Sequence, residues 1–355
     1  MEQYTFRGGP AEAGRAQGAL DPEYARRELE KRLEQPQDFE DGYFRENMSF
    51  MRREFPELVT QMKAYGDAAG IEDFDHTYLL HVYFTAADLD GCSALGIMLK
   101  GDGPAMLRTY DTSSISRVED FVNDKILISL PDSRPRGLVG IGERFGVTVG
   151  TAINDAGLLA GCASGHRKFN PGANPEHVNL YFTTHLLAQY CSDCGDVRHF
   201  LRQYRISGIK GLTGVAVDAA GDMVGFELES ANIALREPEN GMVLETNHWQ
   251  DPDLQRPSRE ADPDWWASTS YYNSQNRIQY LACHRDALES MRTVDELTDF
   301  SFDVHEPGRI LQSPETNIGN WFTTHAIFMT SRDRKLRVHR YPLDKEQHTE
   351  MTYAE

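Results

Sequence analysis

Cys92 stands in the run Asp88-Leu89-Asp90-Gly91-Cys92-Ser93-Ala94, between a helical first quarter and a long series of strand-like runs. A lone cysteine beside apolar residues is ordinarily a small buried hydrophobe. Its context gives it a second reading, as a nucleophile. A glycine precedes it and permits unusual backbone geometry, and polar residues return beside it. Leu95–Lys100 reads as a strand, Gly101-Asp102-Gly103 as a turn, and Pro104–Asp111 as the returning strand. A hairpin centred near Asp102 sets Asp111 and Thr112 opposite Cys92. Were the Gly91–Cys92 bond broken, Cys92 would carry its own α-amine, with a pKa of about 8 and usable as a base at neutral pH.

Other positions offer supporting chemistry. Arg108 and Asp111 are either a surface pair worth little or a buried pair able to hold an amine and a carbonyl by charge-assisted hydrogen bonds. Three residues apart on a regular strand, they face opposite sides. For both to reach the thiol, the strand must end or bulge near Thr109-Tyr110. Thr246-Asn247-His248-Trp249 ends a strand, where Asn247 can donate to an oxyanion or simply form a turn. His248 opens a further route, a cysteine–histidine pair working without cleavage. Ser268-Thr269-Ser270 and Asn276-Arg277 can cap and solvate a helix. Tyr110, Trp249, Trp265, Trp266 and Trp321 could line an apolar acyl pocket, although each type more often packs a core. Cys191-Ser-Asp-Cys194 has metal or redox spacing but no second Cys/His pair at a zinc-ribbon distance, and reads as two incidental thiols at a helix end.

The elements that must position these groups are legible in outline. Phe6–Gly18 is glycine-punctuated, a strand end running into a helix. Pro22–Leu33 is helical, and Tyr43–Ala69 carries apolar residues at helical spacing with a fresh start at Pro56. Phe74–Thr85 is helical or extended. Val118–Leu130 carries an amphipathic pattern, the polar segment Pro131–Gly137 interrupts, and Leu138–Ile153 alternates into strands. Asn154-Asp155-Ala156-Gly157 is a turn, Gly165–Asn174 a loop, and Asn179–Tyr190 and Val197–Tyr204 are helical. Hairpins span Gly214–Glu229, turning at Ala219–Asp222, and Thr324–Arg340, turning at Ser331–Arg334. Between them come a strand at Met242–Asn247, a Pro/Asp/Trp-rich loop at Gln250–Trp266, a helix at Asn273–Ser290 and a Thr293-capped short helix. Bunched helices and hairpin strands argue an α+β fold with mostly antiparallel sheet. With no linker and no repeat, the 355 residues form one domain, 1–355.

Composition narrows the partners. The chain is 40% hydrophobic and 26% charged, ordinary for a globular protein. A net charge of −19 argues against nucleic acid or an anionic membrane as main partner. Five cysteines, an odd number, do not suggest a disulfide framework. The N-terminus lacks the apolar core of a signal peptide, and no apolar run is long enough to span a bilayer, so the expected location is cytoplasmic.

Taken together, Gly91-Cys92-Ser93, Arg108-Thr-Tyr-Asp111, Asn154-Asp-Ala-Gly-Leu158, Thr246-Asn247-His248, the late Ser/Thr run into Arg277 and the opening Gly8–Gly18 pattern fall in a familiar order. They resemble the penicillin acyltransferase family of N-terminal nucleophile hydrolases, relatives of the choloylglycine hydrolases. The resemblance implies a four-layer αββα sandwich with largely antiparallel sheets. It implies an inactive precursor that cleaves itself between Gly91 and Cys92, leaving segments 1–91 and 92–355 associated. It makes Cys92 the nucleophile and its freed amine the base. Arg108 and Asp111 would order amine and thiolate, Asn247 would donate to the oxyanion, and Arg277 would complete the polar cluster. Ser93 replaces the family's usual Thr and keeps the hydroxyl; Thr109 replaces its usual Asn and loses an amide. The expected activity is hydrolysis or acyl transfer on a small acyl amide or thioester, without metal or organic cofactor, and a homo-oligomer is left open. The competing reading is a non-catalytic, uncleaved member that binds or scaffolds.

Overall fold

The structure, a computed structural model, describes residues 1–34, 43–82, 91–112, 125–131, 135–142, 146–165, 174–208, 211–229, 232–303, 309–313 and 321–353. Expectations on Asp88–Asp90, Val118–Asp124 and most of the Gly165–Asn174 loop lie outside the described residues.

The strands, in chain order, are β1 (Gln3–Arg7), β2 (Gly91–Leu99), β3 (Gly103–Thr112), β4 (Lys125–Leu130), β5 (Leu138–Gly142), β6 (Thr151–Asn154), β7 (Leu159–Ser164) and β8 (Val178–Asn179). Then come β9 (Ile206–Ser207), β10 (Leu212–Val217), β11 (Met223–Glu229), β12 (Asn232–Arg236), β13 (Met242–Glu245), β14 (Phe322–Thr330), β15 (Lys335–Arg340) and β16 (His348–Thr352). One sheet has the order β1-β4-β5-β6-β7-β10-β11-β12, the other β13-β2-β3-β14-β15-β16. The pairs β1/β4 and β8/β9 are parallel; the remaining neighbours in the two sheets are antiparallel.

Strand alternation sorts side chains into layers. Ala94, Met106, Ile327 and Met329 meet Val139, Ile153, Leu159, Val215 and Val217 of the other sheet in a central core. Their strand neighbours Leu95, Ile97, Leu107, Ala326 and Phe328 point the opposite way, onto Tyr280, Leu281, Leu288 and Leu297 of the late helices. Across the eight-stranded sheet, Leu212, Ala216, Val224 and Phe226 pack on Leu58, Met62, Tyr78, Leu187 and Phe200 of the early and middle helices. The layers therefore run helix, sheet, sheet, helix, as the α+β sandwich requires. β2 and β3 are covered on both faces, and each fully buried Leu, Ile or Met there contributes about 1.5–3 kcal/mol of transfer free energy.

The early glycine pattern has a packing cause. A Cβ on Gly14 would sit 2.1 Å from the Gln61 carbonyl oxygen, and one on Gly18 would sit 2.2 Å from that of Tyr65. The helices Pro10–Gly18 and Pro56–Ala69 cross backbone to backbone there.

Three local expectations need correction. The β2/β3 register pairs Cys92 with Tyr110 and Gly91 with Asp111, so neither Asp111 nor Thr112 lies opposite Cys92. The stretch Gln250–Trp266 is not a loop: helices Pro252–Ala261 and Pro263–Trp266 start on Asp251 and Asp262, whose carboxylates accept from their first-turn N–H groups, with proline at the first helical position. The single helix expected at Asn273–Ser290 is two, Thr269–Cys283 and Arg285–Ser290, parted at His284. Both later hairpins are present, and Thr293 makes a full capping box with Glu296.

Candidate active site

Cys92 is the second residue of β2, 3% exposed, and is gripped from both faces of its strand. Arg108 pairs across from Ala94, which puts its side chain on the inter-sheet face with that of Cys92. There Arg108 Nη2 donates to Cys92 Sγ at 3.2 Å, and Arg108 Nε donates to the Cys162 carbonyl at 2.6 Å. The guanidinium carbon lies 3.8 Å from the centroid of the Tyr110 ring, a close cation–π stack. Burial pulls the Arg108 guanidinium down, but negative charge at Cys92, Tyr110 and Asp111 outweighs it and holds the group above its ordinary value.

The opposite face belongs to Arg277, fully buried on the helix Thr269–Cys283. Its Nη1 donates to the Cys92 carbonyl and to Ser93 Oγ (2.5 Å), and its Nη2 donates to Asn247 Oδ1 at 2.8 Å. Asp111 Oδ2 lies 3.5 Å from Nη1. Burial lowers the Arg277 guanidinium, Asp111 and Cys92 oppose that, and Arg108 adds to it.

Asp111 therefore does not share the thiol's face. The β2/β3 ladder is regular through Thr109 and Tyr110, so the departure from alternation expected there is absent. The irregularity lies instead in the neighbouring strand β14, where the register against β3 shifts between Thr323 and His325. Thr323 Oγ1 donates to Asp111 Oδ1 at 2.7 Å, and Thr109 Oγ1 donates to Oδ2 at 3.3 Å while accepting the Ser93 N–H at 3.1 Å. Burial pushes the Asp111 carboxyl up from the usual carboxylate range; Arg277 opposes it most, then Thr323.

Asn247 comes two residues after Glu245, the last of β13, which pairs with Ala94 of β2. The chain so delivers Asn247 beside Cys92, whose backbone N–H donates to Asn247 Oδ1 at 2.9 Å. The amide nitrogen donates to the Ser164 carbonyl at 2.8 Å, and Ser274 Oγ accepts the Asn247 backbone N–H at 2.9 Å. Ser274 precedes Arg277 by one helical turn, so one helix face holds both Asn247 and β2. Ser274 and Thr323 were not singled out in the sequence, and Thr109 was noted there only as the site of an expected bulge and of a lost amide. Only Ser274 left a signal, its spacing from Arg277.

His248 is turned elsewhere. Its Nδ1 pairs with Ser274 Oγ (2.8 Å) and Thr246 Oγ1 (3.2 Å), and burial, then Arg277, pushes it down to about 3. An imidazole held neutral and hydrogen-bonded in this way gives no support to a cysteine–histidine pair.

The aromatic candidates divide. Tyr110 lies under Arg108, and Trp321 lies against Gly91: a Cβ on Gly91 would sit 3.0 Å from its ring and 3.1 Å from Asp111 Cβ. Trp249, Trp265 and Trp266 instead cluster with Leu254 and Tyr271. Asn154 is structural, donating to the Ala188 and Cys191 carbonyls and accepting from Ala156 and Leu158 N–H.

Among the described residues, Cys194, Asp218 and Asp222 are grouped closely enough to share a cation. Their atoms are already engaged: Asp218 accepts from Cys194, Ala220 and Asp222 N–H, and Asp222 pairs with Arg198. Among the described residues no helix is long and apolar enough to cross a membrane.

A scan of protein-family models finds no match, and a search of curated proteins finds none. Solved structures do align. Penicillin V acylase from Agrobacterium tumefaciens shares 10% identity at a TM-score of 0.49, covering 74% of this chain and 86% of that one. A mutant conjugated bile acid hydrolase from Clostridium perfringens shares 11% at 0.46, covering 74% and 92%. The Caenorhabditis elegans ortholog of N-acylethanolamine-hydrolyzing acid amidase shares 10% at 0.44, covering 68% and 93%. These are likenesses of overall layout, and side-chain roles do not transfer at such identities.

Proposed function

We propose that this chain is an N-terminal-cysteine amide hydrolase or N-acyltransferase that cleaves itself between Gly91 and Cys92. The observation that carries the reading is the double grip on Cys92: a guanidinium 3.2 Å from its sulfur on one face, and Asn247 and Arg277 on its backbone N–H and carbonyl on the other. Few structural cysteines need a buried cation on sulfur, and such a cation stabilises negative charge on a reacting thiol.

In self-cleavage, the Cys92 sulfur attacks the Gly91 carbonyl carbon, the C–N bond breaks, and water hydrolyses the resulting thioester. Gly91 is left as a carboxylate and Cys92 with a free α-amine. That amine, with an ordinary pKa of about 8, then takes the thiol proton at the start of each turnover. The thiolate attacks the carbonyl of a small acyl amide or thioester, Asn247 donates to the oxyanion from its amide nitrogen, and the leaving group departs with the proton. Acyl-Cys92 then passes its acyl group to water or to an amine. Asn247 Oδ1, which accepts the Cys92 N–H in the uncleaved chain, holds the freed amine in place. The two segments, 1–91 and 92–355, stay together because the early helices bury Leu58, Met62 and Tyr78 against the eight-stranded sheet.

The test is to incubate the purified protein with a panel of N-acyl amines and acyl thioesters and search the peptide masses for acyl-Cys92. An acyl adduct that is absent from Cys92→Ala supports the reading. Turnover by Cys92→Ala overturns it.

A further inference from the structure

Behind the nucleophile strand, five buried side chains from four separate segments close a polar ring. Thr323 Oγ1 donates to Asp111 Oδ1 (2.7 Å) and accepts the Gln312 backbone N–H (2.8 Å). The Gln312 side-chain oxygen accepts from Asn273 Nδ2 (2.8 Å), Asn273 Oδ1 accepts from Arg277 Nε (3.2 Å), and Arg277 Nη1 returns to Asp111 at 3.5 Å. Thr323 N–H also donates to the Gln312 carbonyl (3.0 Å), which ties Gln312 to β14. All five are at most 5% exposed.

We infer that Thr323, Gln312 and Asn273 are positioning residues for the reaction proposed above: together they fix Asp111 and Arg277, on which the geometry of Cys92 depends. Each link has one direction. The Thr323 hydroxyl accepts a backbone N–H and so points its own proton at Asp111, which keeps that carboxyl an acceptor. Asn273, with its oxygen taken by Arg277 Nε, turns its N–H to Gln312. The register shift in β14 is what brings Thr323 onto Asp111. The inference rests on the proposed function for its meaning in catalysis, but the ring itself is testable without any turnover.

The ring makes Thr323 a control on the charge of Asp111. The charged groups acting on Asp111 among the described residues are Arg277 from the outer helix, on its own face, and more weakly Arg108 from the far face of its own strand; Thr109 and Thr323 supply hydroxyls. Removing the Thr323 donor withdraws a charge-assisted hydrogen bond and moves protonation of Asp111 about one pH unit upward.

The experiment has two arms. In the uncleavable Cys92→Ala chain, Thr323→Val lowers the unfolding temperature at pH 7 by about 2–4 °C. Thr323→Ser restores it, and the loss caused by Thr323→Val shrinks once Asp111 is replaced by Asn, leaving the part due to the Gln312 N–H that has lost its acceptor. In the Cys92 chain, the acid limb of the self-cleavage rate shifts upward by about one unit in Thr323→Val and returns in Thr323→Ser. Thr323→Val losses that persist undiminished with Asp111→Asn, or a Thr323→Ser as impaired as Thr323→Val, overturn the inference. A parent chain that never cleaves overturns the proposed function, while the unfolding arm still decides whether Thr323 governs Asp111.

Discussion

Arg277 is the joint between the outer helices and β2, and its replacement gives the sharpest quantitative expectation. Its three nitrogens serve the Cys92 carbonyl, Ser93 Oγ, Asn247 Oδ1 and Asn273 Oδ1, with Asp111 at 3.5 Å. Lysine keeps the charge but presents a single ammonium on a flexible stem and cannot reproduce the planar fork. At least two charge-assisted bonds are lost, each worth about 1.5–3 kcal/mol, and the orphaned acceptors remain buried. Arg277→Lys should therefore destabilise the Cys92→Ala precursor by about 3 kcal/mol, a factor of roughly 100 in the folding equilibrium. Arg277→Met also strips Asp111 of its cation inside the protein and should cost about 3–5 kcal/mol. Urea unfolding of the two variants in the Cys92→Ala chain measures both without interference from cleavage. In the Cys92 chain, Arg277→Lys should slow self-cleavage more than ten-fold, because the Cys92 carbonyl and Asn247 lose their shared anchor. Arg277→Lys within about 0.5 kcal/mol of its parent, together with parental cleavage, would refute the argument that this guanidinium fixes the strand.

Other perturbations separate the remaining parts. Arg108→Met should cut the rate at which iodoacetamide alkylates Cys92 at least ten-fold at pH 7; an unchanged rate would remove Arg108 from the thiol's chemistry. Gly91→Val places side-chain atoms where Trp321 and Asp111 already lie and should cost about 1–3 kcal/mol and block cleavage; normal processing would show that the junction is not so confined. The Glu227 and Glu245 carboxyls face each other from the two sheets. Burial pushes Glu227 up to about 7, and burial and then Glu227 push Glu245 well up. A carboxyl raised in the folded state stabilises fully below its unfolded value and loses that contribution as pH rises through the folded one. Through Glu227 alone stability should thus fall by about 3 kcal/mol between pH 5 and 8, and Glu227→Gln should flatten the fall. An unfolding temperature flat over that range in the parent would contradict the placement of this pair.

The sequence carried the layout further than the contacts. Strand-like runs around Gly101-Asp102-Gly103 announced the hairpin of β2 and β3, and the turn residues announced the later hairpins. Period-two reasoning put Arg108 and Asp111 on opposite faces, which is where they are. It failed in assuming that both must reach the thiol: Arg277, contributed by a helix nearly two hundred residues on, takes the second face and links Asp111 to Cys92. The hairpin register slipped because the turn spans Lys100–Asp102, with Gly103 at φ +82° opening the return strand. Asp251-Pro252 and Asp262-Pro263 looked like loop chemistry because a capping aspartate followed by proline is also a turn signature. The ring through Thr323, Gln312 and Asn273 was illegible for a simpler reason: its members are ordinary polar residues brought together only by tertiary packing.

The central claim is that Cys92 becomes an N-terminus. The intact mass of the purified, denatured protein tests it directly. The account predicts two polypeptides, residues 1–91 and 92–355, and one uncleaved chain when Cys92 is replaced by Ala. A parent protein that remains a single 355-residue chain, with Cys92 inert to iodoacetamide, would contradict it and favour an uncleaved binding protein.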